Sequence, residues 1–159
     1  MTDHIQEWKD QRDKTNFKET VSKASKIKKK ELSIIADNLH DEAFSKIDCL
    51  NCANCCKSIP PLINQEDVKR ISQFLKIPVS DLYKNHVTID EDGDMVLNTT
   101  PCIFLLPDNK CKVYEVRPHG CREYPLTEGD LFISNMDQHE INAKYCPAVF
   151  YVLKQLEDL

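Results

Sequence analysis

Four cysteines stand in the run Cys49-Leu50-Asn51-Cys52-Ala53-Asn54-Cys55-Cys56, and Cys102, Cys111, Cys121 and Cys146 follow, making eight in a chain of 159 residues. Thiolates at that density either bridge to one another or hold metal. Cys49/Cys52 and Cys52/Cys55 both have the Cys-x-x-Cys spacing, in which a tight knuckle brings two sulfurs to one ion. Three thiolates can converge there. Cys56 adds another sulfur, but adjacent side chains point apart, so it reaches more naturally towards a second metal or a bridging role. One mononuclear site accounts poorly for eight thiols. The readings left are two metal centres, one polynuclear cluster, or four structural ligands with spare reactive cysteines.

Disulfides are the weaker reading. Neighbouring Cys55 and Cys56 would tether one short loop in two directions. The N-terminus carries acids where a secretory signal needs positive charge, and no apolar run follows, so a cytoplasmic location is expected. In a reducing compartment, cysteine clusters bind metal or do catalysis more often than they bridge.

All-thiolate tetrahedral sites suit zinc and also suit iron–sulfur clusters. CxxCxxC with a remote Cys-Pro is similar to ferredoxin ligation of a cubane, which would join Cys49, Cys52 and Cys55 to one distant cysteine. Cys56 departs from that run, and zinc and iron both stay open. Four thiolates around a divalent ion carry a net charge of about −2, which calls for nearby cations and N–H donors. Arg117 and Arg122 flank Cys121 and can donate to sulfur. His119 and His139 are expected in solvent, because the sulfurs already suffice as ligands.

The elements that must position these residues follow from pattern. The first 47 residues contain neither Gly nor Pro. Leu32, Ile35, Ala36, Leu39, Ala43 and Ile47 recur at helical spacing, giving an apolar stripe that must pack on something. The preceding segment, with Ile5, Trp8, Phe17, Val21 and Ala24, is a weaker helix broken near Thr15-Asn16. Residues 1–46 therefore read as a helical extension and residues 47–159 as a cysteine-cluster domain. The extension is expected to lie on that domain, on a second copy of the chain, or on a protein partner.

After the cluster, Pro60-Pro61 stops any regular element. Asn64-Gln65-Glu66-Asp67 opens a helix to about Lys76, with its acids at the positive end of the dipole. Ser80-Asp81-Leu82-Tyr83 starts another short helix. Val87 to Asp90 and Met95 to Leu97 flank Glu91-Asp92-Gly93-Asp94, a hairpin turn signal. A closing amphipathic helix runs from about Ala148 through Val149, Val152, Leu153 and Leu156. The expected fold is α+β, mostly helical, with small β-hairpins and irregular metal-binding loops.

A second hairpin constrains the ligands. Cys102 to Leu106 and Cys111 to Tyr114 flank a turn at Pro107-Asp108-Asn109-Lys110. If Leu106 pairs with Cys111, Cys102 falls four rows away, on the order of 13 Å at about 3.3 Å per residue. Either those two cysteines serve different sites or the hairpin is distorted.

Together with CxxCxxCC, the Pro-Cys-Ile-Phe-Leu and Cys-Lys-Val-Tyr-Glu segments and a late Cys-Pro, the run Tyr114-Glu115-Val116-Arg117-Pro118-His119-Gly120-Cys121-Arg122-Glu123-Tyr124-Pro125 resembles the YkgJ-type cysteine-cluster family. The resemblance covers about residues 47 to 150. It implies zinc or iron chelation by Cys49, Cys52, Cys55, Cys56, Cys102, Cys111, Cys121 and Cys146, with Arg117 and Arg122 as part of the signature. Some larger relatives resemble lysine N-methylases acting on flagellin. This chain carries only the cluster domain, so that activity does not transfer.

The expected function is metal binding; the alternative is an iron–sulfur redox protein or an accessory to a methylase-related modification enzyme. Three glycines leave little material for a phosphate-cradling loop, and no Ser/His/Asp set or carboxylate pair stands out, so the reading leans away from an enzyme. Residues 1–30 hold nine Lys/Arg against five Asp/Glu, or +4, leaving 12 against 21, or −9, for the rest. Such an acidic body argues against nucleic acid, where basic surface supplies the affinity. No run approaches the roughly 18 apolar residues of a membrane span.

Overall fold

The computed structural model describes residues 3–159. Its helices are His4–Gln11 (α1), Lys18–Ala24 (α2), Lys29–Lys46 (α3), Cys49–Cys52 (α4), Asn54–Ser58 (α5), Gln65–Leu75 (α6), Val79–His86 (α7), His119–Glu123 (α8), Gly129–Ser134 (α9), His139–Asn142 (α10) and Pro147–Glu157 (α11). Two strands, Val87–Ile89 (β1) and Met95–Leu97 (β2), pair antiparallel with Val87 opposite Leu97. The class is α+β and mostly helical, as the pattern predicts. Among the described residues no helix is long and apolar enough to cross a membrane.

The chain forms two compact units. Unit 1 joins Met1–Cys52 to Pro125–Leu159, and unit 2 is Ala53–Tyr124. Within unit 1 the N-terminal helices pack with the C-terminal ones.

Unit 1 is built on α11, which buries nearly its whole length from Pro147 to Leu153. Pro147 suits the first turn, where no backbone N–H is needed. The stripe of α3 supplies Leu32, Ala36 and Ala43 to this core, joined by Trp8, Phe17 and Phe132. Asp3 caps α1 by accepting from the N–H groups of Ile5 and Gln6, which satisfies donors the helix cannot. Buried Trp8 then donates its indole N–H to the Ala143 carbonyl at 2.9 Å.

Unit 2 has its own core of Ile63, Val68, Ile71, Leu82, Leu97, Phe104 and Val113. Helix α6 opens with a capping box: Asn64 accepts from the Asp67 N–H, and the Asp67 carboxylate accepts from the Asn64 N–H. It stops at Lys76, which adopts the left-handed conformation at φ 57°. The second hairpin is distorted. Its single bridge pairs Leu105 with Cys111, one residue away from the expected Leu106, and Tyr114–Val116 turn into a 3-10 helix.

Candidate metal centre

The CxxCxxCC run is two short helices with a break between them. Cys49 and Cys52 sit at the ends of α4, one turn apart, and Cys55 and Cys56 lie in α5. Ala53 separates the two at φ 49°, a left-handed conformation an alanine adopts only at a cost. The break coincides with the unit boundary, so the motif contributes two cysteines to each unit.

The downstream cysteines divide in the same way. In unit 1, Cys146 caps α11 and is half-buried, with its thiol pushed up to about 12 by burial and further by the neighbouring Cys49 and Cys52. In unit 2, burial pushes the Cys121 thiol up to about 12, and Cys102, Cys56 and Cys111 add to the shift. Burial also raises Cys102, with Cys56 and Cys111 contributing, and raises Cys111, with Cys56 contributing. The backbone ties two of the four directly, because the Cys102 N–H donates to the Cys56 carbonyl at 2.7 Å. The structure thus brings Cys56, Cys102, Cys111 and Cys121 within electrostatic reach of one another, and separately Cys49, Cys52 and Cys146. Cys55 hydrogen-bonds Cys56, and that bond chiefly brings the Cys56 thiol down to about 7.

All eight cysteines are thiols rather than disulfides. Seven are half-buried and Cys49 is exposed. Among the described residues no three His, Cys, Asp or Glu side chains stand close enough to grip an ion as they are placed. The thiols of unit 2 feel one another's charge at longer range than a bond. Closing onto a shell with metal–sulfur distances of about 2.3 Å requires side-chain adjustment, as sites that form together with their metal undergo. The donor set, thiols alone and several to a unit, fits zinc or iron.

The flanking arginines take different places. Arg117 bears electrostatically on Cys111 and Cys121 and partly opposes the rise that burial imposes on both thiols. Its guanidinium donates to the Tyr114 carbonyl at 3.0 Å and lies 4.1 Å from the Tyr114 ring centroid. Arg122 points to Asp67 instead, Nη2 to Oδ1 3.8 Å. At Cys56, Lys57 adds a small lowering influence.

Of the two histidines expected in solvent, His139 is not there. His139 is fully buried, stacked on Phe132 at 4.1 Å, with Nε2 2.7 Å from the Phe132 carbonyl. Burial holds its pKa below the ordinary imidazole value. His119 is half-exposed, and its Nδ1 lies 2.7 Å from Asp67 Oδ2. Asp67 itself passes in the sequence for an ordinary first-turn acid. The Asn-x-x-Asp capping pattern marks its place at the helix start but not its bonds to His119.

A family model described as "CxxCxxCC: Putative zinc- or iron-chelating domain" matches residues 48–147, which include every cysteine. The chain belongs to the CxxCxxCC family. The chain is 35% identical over 82 residues to an uncharacterized protein of Methanocaldococcus jannaschii, an alignment covering 50% of this chain and 44% of that protein. The chain therefore matches less than half the length of this relative. No solved structure matches it.

Proposed function

We propose that this CxxCxxCC protein holds zinc or iron at two centres, one in each unit. Cys56, Cys102, Cys111 and Cys121 are the ligands in unit 2. Cys49, Cys52 and Cys146 are those in unit 1. The observation that carries the reading is the convergence of four thiols from separate stretches of unit 2: the Cys102 N–H meets the Cys56 carbonyl at 2.7 Å, Cys56 bears on the ionisation of the other three, and Cys121 is raised by all three of its companions. Four thiolates close a tetrahedral shell, the arrangement of a structural site. Three leave a tetrahedral ion one position for an outside ligand. Arg117 and Lys57 offset the negative charge of the four-thiolate site.

Elemental analysis of protein purified without oxygen tests this directly. Zinc or iron is expected at more than one equivalent per chain, and Cys111→Ser and Cys146→Ser each remove part of the total. Protein that carries neither metal, and takes up neither on titration, would sink the proposal. Visible absorption separates the metals, since zinc thiolate is colourless and iron–sulfur is brown and bleaches on reduction. A strong chelator should also melt unit 2, because metal binding contributes folding energy outright.

A further inference from the structure

Asp67 is 0% exposed, a costly position for a carboxylate. A capping box does not require it, since the third residue of a helix ordinarily faces solvent. The burial comes from α8. Asp67 Oδ2 accepts the backbone N–H of His119 at 3.1 Å and lies 2.7 Å from His119 Nδ1, besides accepting the Asn64 N–H at 3.1 Å. Its Oδ1 accepts from Arg70 at 2.6 Å and stands 3.8 Å from the Arg122 guanidinium. His119 and Arg122 are one turn apart on α8, so they share the face turned to this carboxylate.

Cys121 lies between them on that helix. Five residues are too few for a helix to hold its own direction, so α8 takes its orientation from contacts. Two are evident. Gly120 lets the backbone close on Leu62, where an added Cβ would stand 3.0 Å from the Leu62 Cβ. Asp67 grips the helix start through both the main chain and the imidazole of His119.

We propose that Asp67 is a positioning residue for the thiol site of unit 2: by holding His119 at two points it fixes α8, and with it the direction from which Cys121 approaches Cys56, Cys102 and Cys111. The inference rests on the four-thiol reading above. It separates Asp67 from a residue that merely caps α6, because the bonds to His119 add nothing to that cap.

A double-mutant cycle on the full chain tests it, with zinc as the probe, competed against a chromophoric chelator, and with cobalt(II) substituted to read thiolate-to-metal absorption. Asp67→Asn is expected to weaken zinc binding about 10–100-fold, the usual cost of losing a partner behind a ligand. Its cobalt absorption should fall towards that of Cys121→Ser. In the Cys121→Ser background, Asp67→Asn should add nothing. An equal loss in both backgrounds would reveal general destabilisation and overturn the proposal, as would wild-type affinity in Asp67→Asn. If the Asn variant does not fold, Asp67→Glu, which keeps a carboxylate for the cap, enters the same cycle under the same criterion. Should Cys121→Ser leave zinc binding untouched, the four-thiol reading fails and the positioning role with it. If Cys121→Ser loses zinc while Asp67→Asn does not, only the positioning role fails.

Discussion

The backbone N–H of Cys102 donates to the carbonyl of Cys56 at 2.7 Å, so residues distant in sequence meet without any metal between them. That bond belongs to the main chain and survives replacement of either sulfur. Cys56→Ser and Cys102→Ser should therefore keep the fold of unit 2 in the presence of remaining ligands, yet each should bind less zinc. Trp8, the single tryptophan, is buried in unit 1, and its emission maximum should stay unchanged in both variants. Unaltered zinc content in either variant removes that cysteine from the ligand set.

Zinc affinity at unit 2 should climb steeply with pH. Cys102, Cys111 and Cys121 are raised by burial and keep their protons at neutrality, so each must release one to bind. Cys56, lowered to about 7, is already largely ionised above that pH. Each thiol that must ionise contributes about tenfold per pH unit, giving roughly three decades per unit above pH 7 and about four below. Competition titrations at several pH values read the slope, and a flat profile would show that these thiols are not displaced by metal.

Unit 1 should lose stability in mild acid. The buried His139 ring has a lowered pKa, so between the ordinary value of 6.5 and that lower value the unfolded chain takes up a proton the folded chain does not. Stability is then full above about pH 6.5 and falls below it, by at most about 1.4 kcal/mol per pH unit, until it levels off beneath the folded-state pKa. Denaturant midpoints followed by Trp8 fluorescence should show this decline, and His139→Gln should flatten it. A decline of equal steepness in the variant assigns the effect to other groups.

Gly120→Ala should weaken zinc binding without touching a ligand. The new methyl would meet the Leu62 Cβ at 3.0 Å and its carbonyl oxygen at 3.1 Å, and main-chain atoms give way little. Overpacking of that kind costs about 1–3 kcal/mol. Chelator competition and a melting curve on the same sample check it, with losses expected in both.

Elements with a local signal were legible in the sequence. Helix α6 has its Asn64 cap and first-turn acids, the β1–β2 hairpin has Asp92-Gly93, and α11 follows a Cys-Pro step. The break inside the motif was not: Ala53 takes a left-handed turn between Cys52 and Cys55, and alanine gives no warning of such a turn. The second hairpin slipped by one residue because Asn109 takes a positive φ inside the turn, with the Leu106 N–H donating to the Lys110 carbonyl. Asp67 stayed hidden for a different reason. Its burial depends on α8, a segment far along the chain whose docking no local pattern announces.

Unit 2 is one unbroken stretch, whereas unit 1 is assembled from two separate stretches on either side of it in sequence. During synthesis, which runs from the N-terminus, residues 53–124 have their own unit's core complete as soon as Tyr124 leaves the ribosome. Helices α1, α2 and α3 must wait with an open apolar side until α11 has emerged. The inserted part is thus free to mature before the part that surrounds it in sequence, and a nascent chain halted after Tyr124 would already hold every cysteine of the four-thiol set.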